Sequence, residues 1–202
     1  MKLYYTPGAC SLSPHIILRE TNTPFALAKV DMKTKKTEDG QDLTAITPAG
    51  YVPALELDDG TVLTEGPVIV QYVADKAGAT ILAPSAGTPE RYKLQSWLNF
   101  ISTELHKGFS PFFNPRISDD AKAVMLERLM LRIGVLDKLL ATSPYIMGKD
   151  FTVADAYAFT VLSWAKPAKI DLSGFANIGG YLDRVAERPA VVAARKAEGL
   201  IK

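Results

Sequence analysis

The spacing of hydrophobic and polar residues changes along the chain, and its first part shows short apolar runs separated by turn residues. Aromatic or alternating runs predict strands, whereas apolar residues three and four apart predict helices. Two such runs flank Asp59-Gly60, a strong local signal for a β-hairpin. The predicted order is strand, helix, strand, polar loop, hairpin and helix, at residues 2–6, 11–20, 25–31, 33–42, 52–66 and from 67 onward.

The rest of the chain carries helical periodicity almost throughout. Four apolar residues recur at i, i+4, i+7 and i+11 and predict one buried stripe on a helix that ends near Gly108. These residues are Leu94, Leu98, Ile101 and Leu105. Further helices are predicted at residues 119–142, 152–168 and 175–196, the last interrupted at Pro189.

Glycine, proline and small residues concentrate between the two patterns, which is typical of a linker. The sequence therefore predicts an α/β domain at residues 1–78, a linker at 79–87 and an all-helical domain at 88–202.

Composition excludes some classes of function. The chain has 202 residues and a net charge of +1, which offers no electrostatic reason to expect nucleic acid as a partner. Its start lacks the features of a signal peptide, and no run of about 18 apolar residues predicts a membrane span. One cysteine cannot form an internal disulfide. We therefore expect a soluble, cytoplasmic protein with no membrane partner.

The only cysteine, Cys10, lies between the Pro7-Gly8 turn and the first predicted helix. A lone cysteine usually behaves as a small buried hydrophobic residue. A thiol just ahead of a helix is different, because free N–H groups and the helix dipole favour the thiolate. Tyr5 and Ser11 lie close enough in the sequence to bring a hydroxyl to the same place. Both interpretations of Cys10, reactive or packed, stay open at this point.

Three polar residues, Asn99, Thr103 and His106, lie at i, i+4 and i+7 on one face of the helix that carries the apolar stripe. A polar face opposite a core stripe is usually solvated, and His106 with Lys107 also suits the C-terminal end of a helix. The alternative is a polar wall that faces a ligand cleft.

Two short motifs of the first domain offer backbone groups to a ligand. Most X-Pro bonds are trans, but a cis Val52-Pro53 bond would turn the Val52 backbone outward, where a peptide-like ligand pairs with it. Glu65 precedes a predicted helix start, which is either a plain cap or a site for a carboxylate and an ammonium group. The basic run that includes Lys35 is typical of a solvated loop.

The segment at residues 151–157 is predicted to be structural. Thr152 and Asp155 resemble a capping box with Asp at the third helical position. We expect this pair to start a buried helix, so that its loss harms folding more than chemistry.

Five segments occur in order along the chain: YYTPGACSLSPH, GYVPALELDDGTVLTEG, QYVAD, WLNFISTELHKGFSP and FTVADAY. Their order and spacing resemble those of bacterial cytosolic glutathione transferases of the beta class, over essentially the whole chain. The resemblance implies a thioredoxin-like N-terminal domain, an all-helical C-terminal domain and a homodimer with glutathione bound between domains. It also implies conjugation of glutathione to small hydrophobic electrophiles, with glutathione as co-substrate and neither a cofactor nor a metal.

The resemblance implies roles for single residues of the first domain. Cys10 matches the cysteine of the beta class, which lies beside the glutathione sulfur and can form a mixed disulfide with it. Val52 matches the residue whose backbone pairs with the cysteinyl part of glutathione, and Pro53 matches a cis proline. Tyr5 and Ser11 are secondary candidates for supporting the thiolate.

The two charged ends of glutathione are assigned in the same way. Glu65 and Gly66 match the pair that holds the γ-glutamyl end, and Lys35 matches the cation at the glycine carboxylate. Many transferases of other classes have serine where this chain has Gly66, so only a backbone N–H serves here.

In the helical domain the resemblance implies a polar wall for glutathione, part of it serving the neighbouring subunit, made of Asn99, Thr103, Glu104, His106 and Lys107. Among these, His106 matches a histidine near the glutathione sulfur. We expect four aromatic residues, which also suit a core, to line the electrophile pocket: Phe109, Phe112, Phe113 and Trp164. Two other functions stay open: glutaredoxin-like thiol-disulfide exchange through Cys10, and non-catalytic binding of glutathione or another ligand in regulation.

Overall fold

The computed structural model describes residues 1–202 and divides by internal packing into two compact units. The first unit comprises residues 1–80 and 187–202, and the second comprises residues 81–186. The last helix belongs to the first unit because it packs against the first helix of the chain. The prediction of one helical domain over residues 88–202 therefore does not match the packing of its last sixteen residues, which belong to the first unit.

A five-stranded sheet with the order β3-β2-β1-β4-β5 forms the centre of the first unit. β1 runs parallel to β2 and antiparallel to β4, while β4 and β5 form the predicted hairpin. The strands are β1 (Lys2–Tyr5), β2 (Ala26–Asp31), β3 (Lys36–Thr37), β4 (Ala54–Glu56) and β5 (Val62–Thr64). β3 lies within the predicted polar loop, where two residues are too few to show a periodicity.

Four helices complete this unit: α1 (Leu12–Glu20), α2 (Leu43–Ile46), α3 (Gly66–Lys76) and α10 (Pro189–Ala197). α1 packs against both α3 and α10. Leu3 of β1, Ile16 of α1 and Val70 of α3 are fully buried. This arrangement is the thioredoxin-like domain that the sequence predicts.

The second unit is entirely helical, as predicted. Its elements are α4 (Pro89–Phe100), a π-helical segment (Ile101–His106), α5 (Lys107–Phe109), a 3₁₀ turn (Ser110–Phe113), α6 (Asp119–Leu140), α7 (Val153–Leu162), α8 (Ala165–Ala168) and α9 (Ala176–Ala186). The predicted stripe is buried, from Leu94 to Leu105. None of the helices combines the length and apolar character needed to cross a bilayer.

The helix predicted over residues 152–168 is instead two helices, α7 and α8, separated at Ser163 and Trp164. Pro167 explains the break, because proline has no N–H to bond the carbonyl four residues earlier and its ring clashes with that carbonyl. At the other end of α7 the capping box is confirmed, since the Thr152 N–H donates to Asp155 Oδ2 at 2.8 Å.

Candidate active site

Cys10 lies in the turn just before α1, where its side chain is half-buried. Its thiol donates to the carbonyl oxygen of Val52, with a Sγ–O distance of 3.2 Å. A carbonyl oxygen accepts only, so this contact favours the neutral thiol. The first two N–H groups of α1 are bonded to the carbonyls of Ala9 and Cys10, and the third residue is Pro14. Inside the helix the expected donors beside the sulfur are therefore already bonded or missing, whereas the Ser11 N–H, directly after Cys10, makes no hydrogen bond within the protein.

Ser11 and Tyr5, the two hydroxyl candidates, are both buried. The Ser11 hydroxyl accepts from the Thr6 N–H and donates to the Thr6 carbonyl, each at 3.2 Å. It closes the turn around Cys10, so we assign it a structural role. Burial raises the pKa of Tyr5, and the nearby Glu198 carboxylate raises it further, which keeps the phenol neutral.

Val52, Pro53 and Gly66 lie together beside Cys10. The Val52-Pro53 peptide is cis. A Cβ built on Gly66 would lie 3.8 Å from Pro53 Cγ and 3.7 Å from Ser13 Oγ, so the start of α3 approaches both the proline and α1. The three expected glutathione contacts are thus linked in the first unit: the Val52 carbonyl accepts from the Cys10 thiol, Pro53 follows Val52, and Gly66 packs against Pro53.

Glu65, directly before α3, is exposed and has a φ of +66°. Residues other than glycine rarely adopt this conformation, and such residues concentrate at ligand sites. The Gly66 N–H has no partner within the protein, while Pro67 has no N–H to offer. An exposed carboxylate and a free N–H group thus lie side by side at this helix start.

Lys35 lies beside the loop that leads into Val52. Its Nζ donates to the Gly50 carbonyl at 2.9 Å and lies 5.3 Å from the centre of the Tyr51 ring. The ammonium group is therefore held against the Gly50-Tyr51 segment that precedes Val52, rather than solvated freely as its basic run suggests.

His106 ends the π-helical segment and packs into the second unit. Its Nδ1 lies 2.6 Å from the Tyr157 hydroxyl, and its ring meets the Trp164 ring edge to face at 4.8 Å. Burial, with a smaller contribution from the Lys107 charge, lowers the pKa of His106 to about 4. The imidazole is therefore neutral at physiological pH. Its Nε2 makes no hydrogen bond within the protein.

The other residues of the predicted wall differ in environment from His106. Asn99, Thr103 and Lys107 are exposed, and the Thr103 hydroxyl donates to the Asn99 carbonyl. A π-helix has more residues per turn than an α-helix, so the face predicted from α-helical spacing is not preserved through the segment.

Glu104 is not a free carboxylate. Burial raises its pKa, but hydrogen bonds from Arg132 and Arg128 on α6 outweigh this and lower it overall. The Arg132 contact is the closer one, at 2.7 Å. Glu104 therefore ties the π-helical segment to α6, a contact that helical periodicity does not predict.

Trp164 is the centre of an aromatic cluster in the second unit. The rings of Phe109, Phe113 and His106 each meet it edge to face. Phe109 is fully buried, which supports the core interpretation for this residue, whereas Phe113 is half exposed. Phe112 is partly buried. Tyr157, which contacts His106, is not predicted as a site residue from the sequence, although it ends the segment that carries the capping box.

Comparison with known proteins agrees with the resemblance of the sequence to glutathione transferases. Residues 8–76 match the family model "Glutathione S-transferase, N-terminal domain", and residues 100–189 match "Glutathione S-transferase, C-terminal domain". The chain is 47% identical over 200 residues to Glutathione S-transferase GstA of Escherichia coli O157:H7, with 99% of this chain and 100% of that protein covered.

Two solved structures extend the likeness to three dimensions. A bacterial beta class glutathione S-transferase of Sphingomonas chungbukensis is 48% identical with a TM-score of 0.96, and both chains are covered fully. A sphingomonad glutathione S-transferase complexed with glutathione is 47% identical with a TM-score of 0.95, again with full coverage of both chains. With both domains matched and whole-length identity near one half, the chain belongs to the glutathione S-transferase family, in its bacterial beta class.

Proposed function

We propose that this protein conjugates the thiol of reduced glutathione to small hydrophobic electrophiles, with glutathione as co-substrate and without a further cofactor or metal. The observation that carries the proposal is the Cys10 Sγ, 3.2 Å from the Val52 carbonyl and beside Pro53 and Gly66. The related sphingomonad enzyme was solved with glutathione bound, which supports glutathione as the ligand.

Each part of glutathione has a chemical partner in the first unit. The Val52 backbone pairs with the cysteinyl peptide groups, as an added strand does. Lys35 attracts the glycine carboxylate. At the other end, the Gly66 N–H binds the γ-glutamyl carboxylate, because a helix start favours negative charge. The Glu65 carboxylate binds the ammonium group of the same γ-glutamyl end.

The reaction needs the glutathione thiol in its thiolate form. The sulfur then attacks an electrophilic carbon, a C–S bond forms, and the leaving group departs with its electron pair. Hydrogen-bond donors near the sulfur stabilise the thiolate, and each pKa unit removed is worth about 1.4 kcal/mol. We assign this support to His106, with Cys10 as a neighbour of the glutathione sulfur.

Assembly and location complete the proposal. On α6 the side chains of Val124 and Leu131 are 68% and 72% exposed, seven residues apart on one face. Exposed apolar residues in such a row support a homodimer, and sedimentation of the purified protein measures it. A single free cysteine suits the cytoplasm.

The decisive experiment compares the wild type with Cys10→Ala in two assays. With an activated aryl halide and reduced glutathione, we expect the variant to keep much of its activity, because the attacking sulfur belongs to glutathione. Intact-protein mass spectrometry after incubation with oxidised glutathione reports whether Cys10 forms a mixed disulfide. A wild type that turns over glutathione mixed disulfides but conjugates no electrophile would contradict the proposal.

A further inference from the structure

Tyr157 is the one polar contact of the His106 ring within the protein. Its hydroxyl lies 2.6 Å from Nδ1, and the two rings meet edge to face at 5.9 Å. Tyr157 is only 1% exposed, so it belongs to the core and has no access to bulk solvent. A buried phenol that touches a site histidine is placed to control that histidine.

The direction of this hydrogen bond follows from the chemistry of the two groups. A neutral imidazole has one nitrogen that donates and one that accepts. The acceptor nitrogen is a strong acceptor, whereas a phenol oxygen is a better donor than acceptor. Because the His106 imidazole is neutral at physiological pH, the favoured arrangement is O–H from Tyr157 to Nδ1. The ring proton then resides on Nε2.

We propose that Tyr157 is a positioning residue that holds His106 in its Nε2–H tautomer, which presents a hydrogen-bond donor to the thiolate; this deepens the proposed function and rests on it. The nitrogen that carries the proton is the one with no partner inside the protein. The hydrogen bond on one imidazole nitrogen decides the role of the other.

The surroundings of Tyr157 keep its hydroxyl in place. It lies on α7, all ten residues of which are buried, two positions after Asp155 of the capping box. On the other side of the imidazole, Trp164 limits rotation of the ring through its contact at 4.8 Å. The imidazole is therefore held by a hydrogen bond and by an aromatic edge, both from the helical unit.

The chain offers an unusually direct test, because it contains only two histidines. In the first unit, His15 Nε2 accepts from Arg19 Nε at 3.0 Å, and His15 Nδ1 lies 2.8 Å from Glu198 Oε1. His15 is thus expected in the Nδ1–H tautomer, opposite to His106. Two tautomers in one spectrum provide an internal reference.

The experiment is nitrogen NMR of the ligand-free protein labelled with ¹⁵N-histidine, at pH 7, where the two tautomers differ in which ring nitrogen is protonated. We expect one Nδ1–H and one Nε2–H imidazole in the wild type. In Tyr157→Phe the His106 signals should shift toward a mixture, while the His15 signals stay unchanged. Two Nδ1–H imidazoles in the wild type, or an unchanged Nε2–H signal in Tyr157→Phe, would overturn the assignment.

Kinetics then test the positioning role. We expect Tyr157→Phe to lower kcat for conjugation about tenfold, the value of one hydrogen bond, and to leave KM for glutathione within about twofold. The matched control is Tyr145→Phe, which removes a hydroxyl that makes no hydrogen bond within the same unit. Equal kcat values for both variants would overturn the role in catalysis. The spectra need no substrate, so they test the tautomer of His106 even if the protein conjugates no electrophile. In that case the proposed function is wrong, while the effect of Tyr157 on His106 is still measured.

Discussion

At the scale of single residues, the Cys10 thiol donates to the carbonyl oxygen of Val52. This hydrogen bond favours the neutral thiol over the thiolate, and Pro14 leaves the start of α1 without one donor. The Val52 carbonyl is also the group that we expect glutathione to engage. On that expectation Cys10 and glutathione use the same acceptor, as we expect of a thiol beside the glutathione sulfur.

A first prediction concerns Gly66, where other classes of the family have serine. A Cβ fits here without a close contact, since its nearest neighbours would lie 3.7 and 3.8 Å away. We expect Gly66→Ser to lower KM for glutathione about tenfold, because an added hydroxyl donates to a charged carboxylate. Steady-state kinetics with varied glutathione measure this. Gly66→Ala is the control, and an equal KM in both variants would show that the hydroxyl makes no contact.

A second prediction follows from the His106 pKa of about 4. Below pH 6.5 the His106 imidazole of the unfolded chain becomes protonated, whereas the same imidazole in the folded protein stays neutral until the pH approaches 4. The free energy of unfolding should therefore decrease between pH 6.5 and 4, by up to about 3 kcal/mol from this residue. Urea unfolding at pH 7 and pH 4.5 measures the loss. It should be smaller in His106→Gln, and an equal loss would mean that another group is responsible.

At the scale of elements, the segments that the sequence predicts well are those with local causes. The hairpin at Asp59-Gly60, the apolar stripe that begins on α4 and the capping box of α7 each depend on residues a few positions apart. The π-helical segment was missed because its residues also fit an α-helix. In the structure this segment packs against α6, and Arg132 of α6 donates to Glu104 within it.

A third prediction concerns the start of α7. The buried Asp155 carboxylate accepts from the Ile146 and Thr152 N–H groups and from the Thr152 and Tyr181 hydroxyls. In Asp155→Asn the amide nitrogen faces donors and leaves them unpaired, which should cost about 2–4 kcal/mol. Thermal or urea unfolding measures this. Asp150→Asn changes an exposed neighbour and should cost little, so similar losses in both variants would argue against the buried network.

At the scale of the whole molecule, the last sixteen residues return to the first unit. Glu198 accepts from the Gly8 N–H at 2.8 Å and pairs with His15. Gly8 lies in the turn that leads to Cys10. The end of the chain thus holds the beginning of the candidate site, although the helical period alone assigns α10 to the helical domain.

A fourth prediction tests this connection. Glu198→Gln replaces an acceptor with an N–H₂ group that opposes either Gly8 or His15, so we expect a loss of about 2–3 kcal/mol in the free energy of unfolding. Urea unfolding measures it, with the exposed Glu187→Gln as control. If Glu187→Gln is equally destabilising, the loss does not come from the buried pair.

The sequence by itself determined the two kinds of domain, most element positions and, through its resemblance to the beta class, the candidate glutathione residues. These depend on local periodicity and on motifs that stay close along the chain. Only the tertiary structure decided that Cys10 donates to Val52, that His106 contacts Tyr157 and that α10 packs on α1. Those contacts join residues 42 or more positions apart. They arise from the packing of whole elements, and no local pattern encodes them.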